Sequence, residues 1–307
     1  MRMYITNGEK GPVVSDYPCD GCWINIEDPD SGDMRYLRED LKVPEDFIVS
    51  ISDSDERPRI ERDNSWTLTI VRIPIPGKDS LYPFATMPLG IIYNQTYAIT
   101  VAMRRTEMIA DFIDHAGYKH IAILNQPDFI LRIIFSSTYW FLNYLKEIDR
   151  QQADAERRLR KSVRNSDLLD LMRLQKSLVL FNTSIQGNEV LLAHLENVYA
   201  NDFNKDLQED VEIELQQAAN TVKVYSEILS STLDTYASVI SNNVNDIMKR
   251  MTAVSIVLMI PTLVASFYGM NVDVPMSRWP LGFWAIVAGS LLLSVIIYLI
   301  LRRSRWL

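Results

Sequence analysis

Residues 251–272 read MTAVSIVLMIPTLVASFYGMNV, and residues 279–301 read WPLGFWAIVAGSLLLSVIIYLIL. Neither run holds a charged side chain. About 20 apolar residues in a helix cross the roughly 30 Å of a bilayer's hydrocarbon core. Each run therefore reads as a transmembrane helix. The link from Asp273 to Arg278 is so short that the two helices form a hairpin with both ends on one side. Lys249 and Arg250 precede the first span, and Arg302, Arg303 and Arg305 follow the second. Basic flanks stay on the cytoplasmic side, so both termini are expected in the cytoplasm. Trp279 and Trp284 at one end, and Trp306 at the other, suit the aromatic belts of a membrane interface. Met1 to Lys10 has no apolar centre and is not expected to be a signal peptide.

Charge divides the chain the same way. Its 307 residues carry a net charge of −8. From Asn245 onward, Lys249, Arg250, Arg278, Arg302, Arg303 and Arg305 outnumber Asp246 and Asp273, a balance of +4 that leaves −12 on the rest. An acidic body of this kind argues against a nucleic-acid partner, which selects a basic footprint. The two cysteines exclude a disulfide scaffold. Cys19 and Cys22 have the spacing of half a zinc site, but there is no second pair, and His115, His120 and His194 lie far away in sequence. They read as incidental. No phosphate-cradling glycine loop of Walker type is present, so nothing resembles a nucleotide-driven machine; an enzyme is not expected.

Upstream of the spans, residues 1–126 read as a cytoplasmic α/β domain. Strands are expected at Trp23–Ile26, Trp66–Ile73, Leu89–Tyr93 and Tyr97–Met103. Short helices are expected at Met34–Leu41, Pro44–Ser50 and Thr106–Ala116, the last capped by Thr106. Helical spacing then takes over, with helices at about 127–163, 166–200 and 203–269. The expected organisation is antiparallel cytoplasmic helices over 127–202, a stalk helix over 203–250, and a first span over 251–271. An outer loop at 272–278, a second span at 279–301 and a basic cytoplasmic tail at 302–307 complete it.

The third long helix has two faces. Val211, Leu215, Ala218, Val222, Tyr225, Leu229, Thr232, Tyr236 and Ile240 form an apolar seam for packing on neighbouring helices, in the same chain or another. A second stripe comprises Asp234, Ser238, Ser241, Asn245, Met248, Thr252, Ser255, Met259, Thr262 and Ser266. Every member is polar or methionine. Taken singly, a membrane serine or threonine serves helix contacts or bonds back to its own backbone. A continuous stripe suits a pore lining once several copies surround an axis. It would hold a hydrated cation weakly, because it carries no charge beyond Asp234.

The first span ends in Tyr268-Gly269-Met270-Asn271. With one short loop and one last span after it, this resembles the CorA family of magnesium transport proteins. Ser241-Asn242-Asn243-Val244-Asn245-Asp246-Ile247-Met248-Lys249 is similar to the family's approach to the membrane. The ending Arg302-Arg303-Ser304-Arg305-Trp306-Leu307 resembles its basic tail. Arg57-Pro58-Arg59-Ile60-Glu61 and Trp23-Ile24-Asn25-Ile26 are similar to stretches of its front half.

The resemblance implies a funnel-shaped homopentamer in a plasma or bacterial inner membrane. Each chain would supply an α/β domain, a long stalk helix and a two-helix hairpin. Gly269, Met270 and Asn271 would ring the outer mouth and select the ion, with Gly269 in a close approach or unusual turn. Asn245 would form a second ring, Met248, Met251 and Met259 apolar constrictions, and Asp234 an acidic ring at the cytoplasmic mouth. Mg2+ would be both cargo and regulator, bound between subunits by Asp210, beside Glu209 and Glu212, and by Asp79 of the neighbouring α/β domain. The implied function is a passive channel for hydrated Mg2+, and also for Co2+ or Ni2+, that cytoplasmic Mg2+ closes. Many family members carry Met-Pro-Glu-Leu in the outer loop, where this chain has Val272 to Arg278, with Asp273 its one acid. A zinc-transporting relative of the same architecture and a non-conducting, membrane-anchored coiled-coil scaffold are the alternatives.

Overall fold

The computed structural model describes residues 2–8, 11–15, 17–19, 21–77, 82–116, 123, 125–162, 164–199, 204–270, 275 and 279–303. They divide into two compact units, Met1–Ser231 and Thr232–Leu307.

In the first unit, the strands among the described residues form one sheet. They are β1 (Arg2–Gly8), β2 (Gly11–Ser15), β3 (Trp23–Glu27), β4 (Arg59–Asp63), β5 (Trp66–Pro76), β6 (Phe84–Tyr93) and β7 (Ala98–Ala102). Their order is β2-β1-β3-β7-β6-β5-β4, with β3 and β7 parallel and the other neighbours antiparallel. All five residues of β3 and all five of β7 are buried, as befits strands covered on both faces. Among the described residues, five α-helices belong wholly to this unit: α1 (Ser31–Arg35), α2 (Glu45–Ser52), α3 (Glu107–Ala116), α4 (Gln126–Lys161) and α5 (Asn165–Val198). A π-helical turn, Tyr36–Asp40, follows α1 directly.

Alternation along the strands sorts the core into two layers. On one face Ile24, Ile26, Leu68, Ile70, Ile92, Ile99 and Val101 cluster with Leu37, Phe47, Ile48 and Ile51. Gly90 of β6 lets α2 come close: a Cβ there would lie 2.3 Å from Cδ1 of the buried Ile51. On the other face Trp23 meets Phe112 of α3 and Phe129 of α4 edge-on, with ring centroids 5.7 and 5.2 Å apart. A buried polar chain runs through this layer. Trp23 Nε1 donates to Thr100 Oγ1 (2.8 Å), Thr100 Oγ1 to Asn25 Oδ1 (2.7 Å), and Asn25 Nδ2 to Glu27 Oε1 (2.9 Å). Glu27 Oε2 accepts from the backbone N–H of Thr106 (2.9 Å), and Thr106 Oγ1 accepts from that of Met108 (3.2 Å), so Thr106 caps α3 as its sequence position predicts.

The structure adds strands that the sequence pattern does not announce: β1, β2 and β4. It also starts β6 at Phe84, ahead of the expected Leu89. Pro88 sits inside β6 because its partner there, Arg72, turns its own backbone groups the other way. Arg72 lies two residues beyond the last β4 pair, Arg59 with Ile70. Asn188 of α5 takes the vacant place, accepting from Arg72 N–H at 2.9 Å and donating to Arg72 C=O at 2.8 Å. Ser177 and Ser184 on the same helix bond to the Phe84 N–H and the Thr86 hydroxyl.

Helix α6 (Lys205–Tyr268) starts in this unit and continues into the second. Its seam residues Val211, Leu215, Ala218, Val222 and Leu229 are at most 1% exposed within one chain. Hydrogen bonds from Gln175 of α5 to Ser230 (2.9 Å) and from Gln208 to Glu196 of α5 (2.6 Å) tie that stretch down. The seam is thus occupied by the chain's own helices up to Leu229. In the second unit, the rest of α6 and helix α7 (Gly282–Arg303) are each long and apolar enough to cross a membrane.

Asn188→Leu keeps the volume but leaves two buried backbone groups without partners. It should destabilise the first unit by on the order of 3 kcal/mol. Chemical denaturation followed by tryptophan fluorescence reads this directly, and an unchanged midpoint would refute the account of how α5 docks.

Candidate functional site

The membrane part of α6 has two unlike sides. Ala253 is fully buried, and Val257, Ile260, Pro261 and Val264 are half-buried. Ser294 Oγ of α7 reaches the Val257 carbonyl at 3.3 Å, which marks this as the side facing α7. On α7, Gly282, Ser290 and Ser294 are the buried positions. Sequence reasoning assigns none of these α7 residues a role. The available signal is two hydroxyls four residues apart in an otherwise aliphatic run.

The polar and methionine stripe lies elsewhere on the helix. At 100° per residue, the stripe over 252–266 is centred about 165° from the side that faces α7. Asp234, Ser238, Ser241, Asn245, Thr252, Ser255, Thr262 and Ser266 are all exposed in the single chain. So are Met248 (61%), Met251 (68%) and Met259 (62%). Ser255 Oγ donates to the Met251 carbonyl at 2.9 Å, and Thr262 Oγ1 to the Leu258 carbonyl at 3.1 Å. Both hydroxyls are thus placed to donate to the helix backbone, which leaves their lone pairs as acceptors.

At the far end of α6, Gly269 N–H donates to the Ala265 carbonyl at 2.9 Å and Met270 N–H to Phe267 at 3.3 Å. Gly269 has no left-handed backbone angle. The unusual turn expected there is replaced by one further helical hydrogen bond, and a Cβ at Gly269 would stand 3.2 Å from the Ala265 oxygen. Asn271 and Asp273 lie outside the described residues, as does Asp79.

Five of the eight acids of α6 lie between Asp206 and Glu214; the other three are Glu227, Asp234 and Asp246. Asp210, Glu209 and Glu212 are exposed in the first unit. Lys249 approaches Asp246 at 3.8 Å one turn before the first span, an exposed pair of little energetic weight. Among the described residues, no three His, Cys, Asp or Glu side chains within one chain are placed to hold a metal ion. Cys22 N–H donates to the Cys19 carbonyl (3.1 Å) in a tight turn, with Cys19 exposed and Cys22 buried. Burial raises the Cys22 thiol above its usual value, the reverse of what a metal-binding thiolate needs.

A family model described as CorA-like Mg2+ transporter protein matches residues 20–303. The chain belongs to this family. As a CorA-family member it is a membrane transporter for divalent cations and not an enzyme. Among its relatives is the cobalt/magnesium transport protein CorA of Methanocaldococcus jannaschii, 26% identical over 302 residues, spanning 93% of this chain and 91% of the relative. The complete structure of the CorA magnesium transporter from that organism matches with a TM-score of 0.83 at 22% identity, over 100% of this chain and 99% of the other. The ZntB cytoplasmic domain from Vibrio parahaemolyticus matches with a TM-score of 0.61 at 15% identity, over 78% of this chain and 98% of that domain. At these identities the two structures bear on the fold alone.

The two sides of this CorA-family helix predict a labelling pattern. With Cys19 and Cys22 replaced, single cysteines introduced in place of Ser255, Met259 and Thr262 should react with a membrane-impermeant thiol reagent. Those introduced in place of Ala253, Val257 and Ile260 should not. Uniform labelling along both sides would contradict the assignment of faces.

Proposed function

We propose that the chain assembles as a homopentamer and conducts Mg2+ passively, with the striped face of α6 lining the path. The observation that carries this reading is the continuous, exposed, uncharged stripe from Ser238 to Ser266 on the side away from α7. A lone membrane anchor has no use for such a face, whereas copies around an axis turn it inward.

The chemistry suits magnesium. Mg2+ holds its waters tightly and prefers octahedral oxygen geometry. A hydrated cation presents water O–H donors on its outer surface, so a matching lining offers acceptors. Ser255 and Thr262 do so with lone pairs left free by their backbone bonds. Rings of Asn245 and of Asn271 amides would do the same at either end, with Gly269 and Met270 beside the outer ring. Met248, Met251 and Met259 would form apolar constrictions that close by excluding water. Asp234 would gather cations at the inner mouth, and Asp273 at the outer one. The membrane potential alone supplies about 4.6 kcal/mol per divalent ion per 100 mV. The orientation that goes with this has both termini in the cytoplasm of a plasma or bacterial inner membrane.

Regulation follows from charge. Bodies of −12 each repel when gathered around one axis, and divalent cations between them would relieve that repulsion. Asp210 is exposed and available to a second copy, with Asp79 as its proposed partner. Co2+ and Ni2+ are candidate further cargo. A zinc preference has the ZntB fold likeness behind it, but zinc favours nitrogen and sulfur ligands, and the stripe holds no His or Cys.

Uptake into proteoliposomes, followed with an internal magnesium dye, tests the proposal. Wild type should admit Mg2+ and Asn271→Ala should lose at least about ten-fold of the initial rate, the scale of removing a set of coordinated hydrogen bonds. Zinc flux without magnesium flux would move the chain to a zinc transporter. No flux of any ion from a verified oligomer would support a scaffold.

Asp210→Ala should shift the internal Mg2+ concentration that halves the flux upward by about ten-fold, because one anionic ligand per interface is gone. An unshifted midpoint would remove Asp210 from the regulatory site.

A further inference from the structure

Pro261 lies inside α6 and has no N–H. In an α-helix that N–H would bond to the carbonyl four residues back, which here is Val257. The Val257 carbonyl therefore lacks its usual backbone donor in its own helix. In hydrocarbon no water can take the place of that partner.

Helix α7 supplies one. Ser294 Oγ stands 3.3 Å from the Val257 oxygen and 3.0 Å from the Ser290 carbonyl of its own helix. Ser294 is 6% exposed, and Ser290, one turn earlier, is 8% exposed with its hydroxyl bonded to Val287 at 2.9 Å. In the rest of α7 between Phe283 and Leu301 there is no other hydroxyl except Tyr298. The hydroxyl of Ser294 is thus placed at the carbonyl that the proline deprives of a partner.

We infer that Ser294 is a positioning residue for transport: it satisfies the Val257 carbonyl freed by Pro261 and so holds α7 against α6 where α6 lacks an internal bond. A helix with one hydrogen bond missing flexes there more easily than elsewhere. Thr262 and Ser266 of the striped face follow that point, so what fixes it also fixes their position. Ser294 carries a single proton with two acceptors. The proton is shared between the two carbonyls; were α6 to shift, it would remain with Ser290, and only the Val257 carbonyl would lose its share. The contact is therefore a latch that opens without stranding a donor.

A double-mutant cycle in the reconstituted full-length protein tests this. The variants are Ser294→Ala, Ser294→Thr, Pro261→Ala and the pair Pro261→Ala with Ser294→Ala. The readouts are magnesium flux per assembled oligomer and the thermal midpoint of the purified protein. Ser294→Ala should lower flux about three-fold, the size of one interhelical hydrogen bond in a membrane, and lower the midpoint by about 2 °C. Ser294→Thr keeps the hydroxyl and should restore both. In the Pro261→Ala background, the backbone regains an N–H that bonds to the Val257 carbonyl, and Ser294→Ala should have no further effect. Equal losses in both backgrounds would mean that Ser294 only fills space and would overturn the inference. So would no loss in either. If Pro261→Ala abolishes flux, the thermal cycle decides by the same criteria.

Discussion

A chain inside hydrocarbon must hydrogen-bond its own backbone, and most of this protein's membrane architecture follows from that requirement. It makes both spans helices. It keeps α6 helical through its apolar stretch to Tyr268, with Pro261 inside it. Ser255, Thr262, Ser290 and Ser294 bond back to main-chain carbonyls. Where Pro261 breaks the ladder, a side chain from α7 meets the carbonyl left behind.

The same accounting governs the first unit, where sheet and helices meet in a dry interior. Asn25, Thr100, Glu27 and Thr106 form a closed line of donors and acceptors between β3, β7 and the start of α3. Asn188 continues the ladder of β5 after β4 stops. Polar side chains thus decide which helix lies on which strand, while aromatic and aliphatic groups supply the burial. Such pairs are expensive to break from one side only, which makes the docking specific.

Much of this is legible in the sequence because helices write their environment at short range. The spans, the seam and the stripe are all periodic patterns on consecutive turns. Strand β4, Arg-Ile-Glu-Arg-Asp, escapes because an edge strand is half solvated and shows little apolar alternation. The β1–β2 hairpin escapes for a similar reason, with Val13 and Val14 exposed. The parallel pairing of β3 with β7, about 75 residues apart, has no local signature. Neither does the match of Asn188 to Arg72. At the site, residue types predict which side of α6 is polar, but only the packed hairpin shows that the opposite side carries α7. Of the two readings of Gly269, a close approach or an unusual turn, the turn is not seen: a helix-type hydrogen bond to Ala265 continues past Tyr268 instead.

The hydroxyls of Ser255 and Thr262 have a consequence for anions. A hydrated anion draws its waters' protons inward and turns their oxygens out, so its shell seeks donors. These two hydroxyls have none to give, since their protons sit on the Met251 and Leu258 carbonyls. In the proposed path, the sense of these hydrogen bonds would discriminate by sign without any fixed charge. A cation in that path would be favoured by the direction in which its water points, and it would meet no carboxylate between residues 251 and 272.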